Sequence, residues 1–365
     1  MPYILKMKLV KTITAKIYNP TARKRRALDA LWRSWKDALI LKRDYTYLRE
    51  RTDLHSHYCR EMSWKVKKGF DAPVGVPKST LKLTPGRIYA PWFASLPTPD
   101  GRVRLPLRMS RGHSKLLAEC EVCDSQLIKR GKEYYLHIVV SKDVPVPAVP
   151  SHAPVLAVDP GERVIATSVT LVDGTISSPG FHGREVRSIR RHYAWLRKRL
   201  GRRKLLRVIK RVGRTEHRKV DARLHVIAAS LVEQAREIGA VIAVGDLTGI
   251  RKSSRGRRMN RIVNAMPFNR LSTFIEYKAA WAGVPVIKVD EAYSSRECRI
   301  CKQDGRRPSQ GRFVCQSCGE YNADLNGAVN IGSRALAYMA IAGVPGIAPL
   351  RGTSSPQVQC DVKSC

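Results

Sequence analysis

Four cysteines lie in two closely spaced pairs. Cys298 and Cys301 form one C-x2-C pair, and Cys315 and Cys318 form a second after 13 intervening residues. Each pair makes a tight turn that presents two sulfurs to one side, and a structural Zn²⁺ takes four such ligands in a tetrahedron. The segment between the pairs is too polar to form a core of its own and would need a metal to fold. The spacing therefore predicts one structural zinc ion in a ribbon over 295–322.

The remaining cysteines and the histidines give weaker signals. Cys120 and Cys123 form a lone C-x2-C pair, and without a second pair strand packing is the favoured interpretation. His55 and His57 alternate in a polar segment near Cys59, and we interpret them as surface or RNA-contacting residues. None of these residues is predicted to hold a metal.

Carboxylates are scarce in this sequence, so the placement of each is informative. Asp159 ends an apolar run just before Pro160-Gly161, the position at which open α/β sheets carry their sites. A turn-initiating aspartate is the alternative interpretation. Asp324 opens a predicted helix in the sequence ADLNGAVNI, where helix capping is an equally available role. Placement alone makes both residues candidates without deciding between these roles.

The spacing of apolar residues predicts the elements of the first half of the chain. Residues 3–18 alternate with period two and predict a strand, and helical spacing follows over 21–52. Proline and glycine recur over 70–112, which predicts loops, short turns and one or two strands. The run over 120–143 predicts a hairpin. The proline-rich stretch 145–154 is the predicted linker and domain boundary.

The second half alternates strands and helices. The predicted order is a strand ending at Asp159, a hairpin, a helix, a strand, a helix and a third core strand, which favours an α/β domain. A final helix begins near Asp324, and the tail over 343–365, rich in Gly, Pro and Ser, is predicted to be disordered.

The charge balance predicts a polyanionic partner. The chain has 67 Lys and Arg against 30 Asp and Glu, a net charge of +37, and 43% hydrophobic residues, which excludes a disordered polycation. Such a charge opposes compaction unless a polyanion neutralises it, and nucleic acid is the commonest polyanion inside cells. No apolar run of about 18 residues occurs, so we expect neither a membrane span nor a secreted protein. The odd cysteine count favours metal ligation in a reducing cytosol.

The positive charge is concentrated between Arg184 and Lys219, where 16 Lys and Arg accompany only two acids. Unpaired like charges four residues apart destabilise a helix unless a partner neutralises them, so a helix that binds a nucleic-acid backbone is favoured over a solvated face. Tyr193 and Trp195 are interleaved with these charges. The candidate nucleic-acid-binding residues are Arg190, Arg191, Arg197, Arg199, Arg203, Arg207 and Lys210.

Taken together, these landmarks resemble the TnpB family of transposon-encoded RNA-guided nucleases, which are related to type V CRISPR effectors. The matching segments, all within 154–335, are AVDPG, VGDLTGIR, FNRLSTFIEYKAAWAGVPV, the four-cysteine ribbon and ADLNGAVNI. The resemblance implies an α/β plus β fold, in which an RNase H-like RuvC domain with an inserted zinc ribbon covers 151–342. For 1–150 it implies a wedge-like β-barrel with a short helical recognition insertion over about 20–110, which binds RNA and the motif beside the target.

The resemblance also implies a catalytic site. RuvC-like nucleases use carboxylates to hold two Mg²⁺ about 4 Å apart, and Asp159 and Asp324 match the first and third acids. Gly245 stands where most relatives carry the second, a glutamate before Asp-Leu. Asp246 could substitute, but neighbouring strand residues face opposite ways. The acid could have moved to Glu291, the interpretation we favour, or the site could be inactive.

Three functions therefore compete. The favoured one is a guide-RNA-directed, Mg²⁺-dependent endonuclease that cleaves double-stranded target DNA beside a short motif, with base pairing to the guide reading the rest. Asp159, Glu291 and Asp324 would be catalytic and hold magnesium, and Cys298, Cys301, Cys315 and Cys318 would hold zinc. The second is a catalytically inactive RNA-guided DNA-binding protein, and the third a guide-independent resolvase-like nuclease. A prokaryotic cytoplasmic location at the nucleoid is expected.

Overall fold

The computed structural model places most of the chain in two compact units. It describes residues 6–41, 44–65, 72–145, 149–150, 152–246, 267–290, 294, 296–309 and 311–342. One unit comprises 6–144, and the described residues of the other lie within 145–342. Among the described helices, none has both the length and the apolar character needed to cross a membrane.

The first unit combines an eight-stranded sheet with four helices. The sheet order is β2-β7-β8-β1-β5-β4-β3, with β6 paired to β8. Its strands are β1 (Lys6–Ile17), β2 (Val74–Val76), β3 (Lys82–Pro85), β4 (Trp92–Thr98), β5 (Gly101–Arg108), β6 (Glu121–Val122), β7 (Ser125–Arg130) and β8 (Glu133–Pro145). Its helices are α1 (Ala22–Leu41), α2 (Tyr45–Arg51), α3 (Ser56–Lys65) and α4 (Arg111–Glu119).

The helical part of this unit is shorter than the predicted insertion over about 20–110. Among the described residues of this range, helices occupy the part from α1 to α3, and the chain then returns as strands β2 to β5. Pro99-Asp100 closes a tight hairpin between β4 and β5, and Gly101, the first residue of β5, adopts a φ of 101° that disfavours other residues. The sequence prediction undercounted these strands because it treated each proline and glycine as a loop signal.

The second unit contains a five-stranded sheet of order β11-β10-β9-β12-β13. Its strands are β9 (Val155–Asp159), β10 (Ala166–Val172), β11 (Thr175–His182), β12 (Val241–Asp246) and β13 (Val286–Asp290). Strands β9, β10 and β11 pair antiparallel, whereas β9, β12 and β13 pair parallel. Four helices, α5 (Arg184–Arg202), α6 (Leu206–Glu237), α7 (Phe268–Ala282) and α8 (Ala323–Ala342), and a small sheet of β14 (Arg306–Ser309), β15 (Arg312–Cys315) and β16 (Gly319–Asn322) complete the described part.

Side-chain alternation divides the five-stranded sheet into two buried faces. Leu156, Val158, Ile242 and Val244 pack in the cluster formed with α6 and α7. The intervening residues, Val155, Ala157, Val241, Ala243 and Val289, pack with apolar residues of α8 on the other face. Gly332 of α8 allows this close approach, because a Cβ there would lie 2.4 Å from Leu171 Cδ1. Period-two alternation thus decides which strand-end residues reach α8.

The predicted fold class is confirmed at the level of a mixed α/β protein with several sheets and a four-cysteine cluster. The predicted tail over 343–365 lies outside the described residues.

Candidate functional site

Two aspartates from distant parts of the sequence converge on the α8 face of the sheet. Asp159 is the last residue of β9, and Asp324 lies in the first turn of α8. A Cβ built on Gly327, one turn along α8 from Asp324, would lie 2.6 Å from Asp159 Oδ2. The carboxylate of Asp159 therefore lies against the first turns of α8. We call Asp159 and Asp324 the acid pair.

Asn322, rather than Asp324, caps helix α8. Its Oδ1 accepts hydrogen bonds from the backbone N–H groups of Asp324 and Leu325, each at 3.0 Å. This satisfies two of the donors that a helix N-terminus leaves without partners. The Asp324 carboxylate instead accepts a hydrogen bond from Arg307 Nη2 at 2.7 Å. The capping role that the sequence left open for Asp324 thus belongs to Asn322.

The pKa values of both acids are raised. Burial, followed by the nearby charge of Asp324, raises the pKa of Asp159 to about 7, against an opposing effect of Arg307. Burial also raises the pKa of Asp324, and Arg307 again opposes it. Two carboxylates that disfavour each other's charge in a half-buried site are the groups that a divalent cation stabilises in the charged form.

The donor set fits a hard cation. Carboxylate oxygens are the ligands that Mg²⁺ prefers in proteins, and the glycine at 327 leaves open the space beside Asp159 that a side chain would fill. Asp159, Asp324 and a third oxygen ligand could hold magnesium here.

Gly245 lies where a second acid would be expected. On the adjacent parallel strand β12, Val244 is in register with Val158, so Gly245 follows beside Asp159 on the same face. Asp246 therefore falls on the face of Val244, away from the acid pair. Glu291 lies outside the described residues. Within the described part of the chain, no third His, Cys, Asp or Glu joins the acid pair in a metal-sized cluster.

Sequence reasoning missed three residues near the acid pair. Arg307 comes from β14 of the ribbon, and Arg163, which is exposed, contributes a charge that lowers the pKa of Asp324. Thr167 on β10 is in register with Asp159, and its Oγ1 is buried with no hydrogen-bond partner among the described residues. A hydroxyl within a predicted strand and arginines in a basic chain carry no distinctive spacing, so only their tertiary placement identifies them.

Gly327→Ala is expected to perturb the acid pair. The added methyl group must displace the Asp159 carboxylate or shift α8, and such overpacking costs about 1–3 kcal/mol of stability. We expect denaturant unfolding to show this loss and Mn²⁺ titration to show weaker binding. Gly213→Ala is the matched control, because Gly213 also lies in a helix and its Cβ would meet nothing within 4 Å. Equal stability and equal Mn²⁺ binding of the two variants would show that the space around Gly327 accommodates a methyl group.

The four predicted zinc ligands form one cluster. The Sγ atoms of Cys298, Cys301, Cys315 and Cys318 all lie within 4.8 Å of one another. Burial opposes ionisation of Cys298, but the backbone N–H groups of Cys301 and Ile300 stabilise its thiolate and lower its pKa to about 7. Four convergent sulfurs suit a tetrahedral zinc ion.

The ribbon has only a small buried core among the described residues. Among the described residues, its buried cluster consists of Cys298, Phe313, Cys315 and Ala323, with Cys301, Cys318 and Tyr321 partly buried against it. Gly305 lies directly against Phe313, since a Cβ there would lie 2.3 Å from Phe313 Cζ. A core of this size does little to offset the conformational entropy of ordering the segment, so a metal held by the four sulfurs would stabilise the ribbon.

The predicted nucleic-acid-binding residues lie on α5, on α6 and between them. Arg191, Arg199, Arg203, Arg207 and Lys210 are exposed, whereas Arg190 and Arg197 are partly buried. Arg197 forms an ion pair with Glu216 of α6, which neutralises much of its charge. Trp195 is 55% exposed, and the Arg199 guanidinium lies over its ring at 5.5 Å. The surface available to a backbone phosphate is therefore the exposed subset of the predicted residues.

Cys120 and Cys123 do not join a metal-sized cluster within the described residues. Cys123 Sγ instead lies 3.2 Å from Ser141 Oγ of β8.

A protein-family model and a solved structure match this chain. The family model of the Cas12f1-like TNB domain matches residues 268–331, a range that holds the ribbon and the first turns of α8. The fold resembles that in a cryo-EM structure of a Cas12f1–sgRNA–target DNA complex, with a TM-score of 0.55 and 12% identity over 84% of this chain and 81% of that chain.

Curated proteins with related names are similar in sequence to this chain. The chain is 34% identical over 160 residues to the CRISPR-associated endodeoxyribonuclease Cas12f2 of a Micrarchaeota archaeon, covering 37% of this chain and 29% of the relative. It is 32% identical over 117 residues to the TnpB-like protein MJ0751 of Methanocaldococcus jannaschii, covering 32% and 42%. It is 29% identical over 228 residues to the putative RNA-guided DNA endonuclease InsQ of Escherichia coli K12, covering 54% and 53%.

The resemblance to the TnpB family is confirmed, and the chain is a relative of the TnpB-like proteins and Cas12f effectors. Its matches span about half or less of the length of these curated relatives.

Proposed function

We propose that this protein is a guide-RNA-directed DNA endonuclease that cleaves its target in a RuvC-type site. The observation that carries the proposal is the convergence of Asp159 and Asp324 on the α8 face of the sheet, each with a raised pKa. Two carboxylates half-buried side by side, one of which raises the pKa of the other, cost stability when no cation is bound, which makes a purely structural role for this arrangement unfavourable. The names of the relatives supply the substrate class, since two are named putative RNA-guided DNA endonucleases and another is named a CRISPR-associated endodeoxyribonuclease.

Two Mg²⁺ held by these carboxylates would supply activated water and stabilisation of the leaving oxygen of the phosphodiester. The chain's own contribution is to hold the two carboxylates near each other, one at the end of β9 and one in the first turn of α8, and to shield them in part from bulk water. Arg307 and Arg163 place positive charge beside the acids and would contact the scissile phosphate. Thr167 would direct its unpartnered hydroxyl toward the carboxylate with which it is in register.

Glu291 is the proposed third acid. On β13, Val289 is in register with Gly245 and packs among the residues of the α8 face. Asp290 is in register with Asp246 and belongs to the other face. The odd-numbered described residues of β13 therefore share the face of the acid pair, and Glu291 is the next odd-numbered residue in the sequence. The register of the described residues thus supports a glutamate relocated from position 245 to position 291.

A second candidate function is supported by Gly245. A glycine beside Asp159 removes the ligand that the neighbouring strand would supply, and a site of two carboxylates would hold metal less well. The protein would then bind guide RNA and target DNA without cutting, and would act by occluding the DNA.

The partners we propose are guide RNA and double-stranded target DNA. The net charge of +37 and the exposed arginines of α5 and α6 suit a nucleic-acid backbone. We assign the first unit to a wedge-like domain that binds RNA and the adjacent motif, and the second to a RuvC-like nuclease domain with the zinc ribbon.

A plasmid-cleavage experiment tests the function. The RNA that co-purifies with the protein identifies the guide, and a plasmid library with the matching target beside randomised sequence is incubated with the complex in Mg²⁺. Cleavage of matched plasmids next to a common motif is the expected result. Binding of the same plasmids without cleavage would favour the second candidate. Neither binding nor cleavage would overturn both.

Charge reversal on the basic helices is expected to weaken RNA binding. Arg207→Glu should lower the affinity for guide RNA and reduce the slope of log K against log salt by about one, since one phosphate contact is lost. Filter binding over a salt series measures both. Arg236→Glu is the matched control, because it makes the same charge change on α6 at a residue that pairs locally with Glu233. An equal effect of both variants would mean that only net charge matters.

A further inference from the structure

Asn326 and Asn330 are wholly buried amides, one turn apart on α8. Burying an amide without hydrogen-bond partners costs free energy, so such groups are expected to be paired. Every described partner of these two side chains lies in the segment 294–302, which contains the first cysteine pair of the ribbon. We call Asn326 and Asn330 the amide pair.

The amide pair holds the backbone on both sides of Cys298. Asn326 Nδ2 donates to the carbonyl oxygen of Glu297 at 2.8 Å, and its Oδ1 accepts from the backbone N–H of Arg299 at 2.9 Å. Asn330 Nδ2 donates to the same Glu297 oxygen at 2.8 Å and to the Ser294 oxygen at 2.9 Å. The position of a zinc ligand is thereby tied to a helix outside the ribbon.

Side chains around the amide pair extend the connection. Lys302 Nζ donates to Asn330 Oδ1 at 3.1 Å. Arg334, a further turn along α8, pairs with the Glu297 carboxylate at 3.0 Å and donates to the Asp290 carbonyl oxygen at 2.8 Å. One stripe of α8 therefore contacts the chain from the end of β13 to the first cysteine pair.

The same helix carries one member of the acid pair. Asp324 precedes Asn326 by two residues, and Gly327, which contacts Asp159, follows it directly. An α-helix rises only 1.5 Å per residue, so a shift of the first turns at Asn326 moves Asp324 as well. A buried network of satisfied hydrogen bonds fixes the relative positions of the groups in it more than it raises the free energy of unfolding. The amide pair is therefore suited to fixing position.

We propose that Asn326 and Asn330 are positioning residues that couple zinc in the ribbon to the geometry of the acid pair. The inference rests on the proposed function only in assigning divalent-metal binding to the acid pair. With zinc bound, the cysteine turn is rigid and the amide pair holds the start of α8 against Asp159. Without zinc, or without the amides, the start of α8 loses this restraint.

The test compares Asn330→Leu with the wild type, each with zinc and after zinc extraction. Two readouts are taken: hydrogen exchange of peptides covering 323–330, and Mn²⁺ affinity by titration, with Asp159→Asn defining binding at the acid pair. We expect zinc extraction from the wild type to speed exchange and to weaken Mn²⁺ binding by about 10-fold to 100-fold. Zinc-loaded Asn330→Leu should show both changes, and extraction should then add little. Asn269→Leu, at an exposed residue of α7, is the matched control.

The proposal would be overturned if zinc extraction changed neither the Mn²⁺ affinity nor the hydrogen exchange of the wild type. It would also be overturned if zinc-loaded Asn330→Leu behaved as the wild type does. The wild-type extraction arm needs no variant, and Asn330→Ala, which adds no bulk, replaces Asn330→Leu if that protein does not fold. Mn²⁺ binding that is unaffected by Asp159→Asn would count against the proposed nuclease site instead. In that case, hydrogen exchange of the peptides covering 323–330 still tests whether zinc in the ribbon is coupled to the start of α8.

Discussion

Cleavage of a guided target is expected to fall by about 100-fold or more in Asp159→Asn, Asp324→Asn and Glu291→Gln, because each removes a proposed magnesium ligand. Each substitution keeps the size of the side chain and removes its charge, so binding of guide and target should be retained. Single-turnover cleavage in Mg²⁺ and target binding in its absence measure the two properties separately.

Asp246→Asn is the matched control for these three variants. Asp246 is adjacent to Gly245 but lies on the face opposite Asp159, so its loss should change cleavage by no more than a few-fold. Full activity of Glu291→Gln would remove Glu291 from the site. A wild type that binds target and does not cut would instead favour the inactive DNA-binding protein, since Gly245 would then leave the acid pair without a third ligand.

Loss of zinc is the second large expected effect. Cys315→Ser should reduce bound zinc from about one ion per chain to near zero and unfold the ribbon over 295–322, because binding of structural zinc contributes about 10 kcal/mol or more to such small sites. Metal analysis of the purified protein and limited proteolysis between Cys298 and Cys318 measure the two consequences.

Cys123→Ser is the control for Cys315→Ser, since Cys123 contacts Ser141 and lies outside the four-sulfur cluster. Its zinc content should equal that of the wild type. Retention of full zinc occupancy in Cys315→Ser would contradict the assignment of the ribbon.

Features with local spacing were predictable from the sequence. The two C-x2-C pairs predicted one metal cluster because thiolate ligands need a tight turn between them, and the four sulfurs do converge. Asp159 and Asp324 were candidates by their positions at the end of an apolar strand and at the start of a helix, and the resemblance to the TnpB family singled them out as acids of a nuclease site. The strands β2 to β5 were partly missed, because proline and glycine signal turns without showing that the strands between them pair.

Residue types and local periodicity thus determined the four-cysteine cluster, the two candidate acids, the basic helices and the alternation of α/β elements. Tertiary structure decided what no local pattern contains: that Asn322 caps α8, that Glu216 neutralises Arg197, and that Arg307 of the ribbon reaches Asp324. It also placed Gly245 beside Asp159, because register between parallel strands depends on the packing of both sheet faces. Contacts between residues far apart in sequence depend on how whole elements pack, and the spacing of residues along one element does not specify that packing.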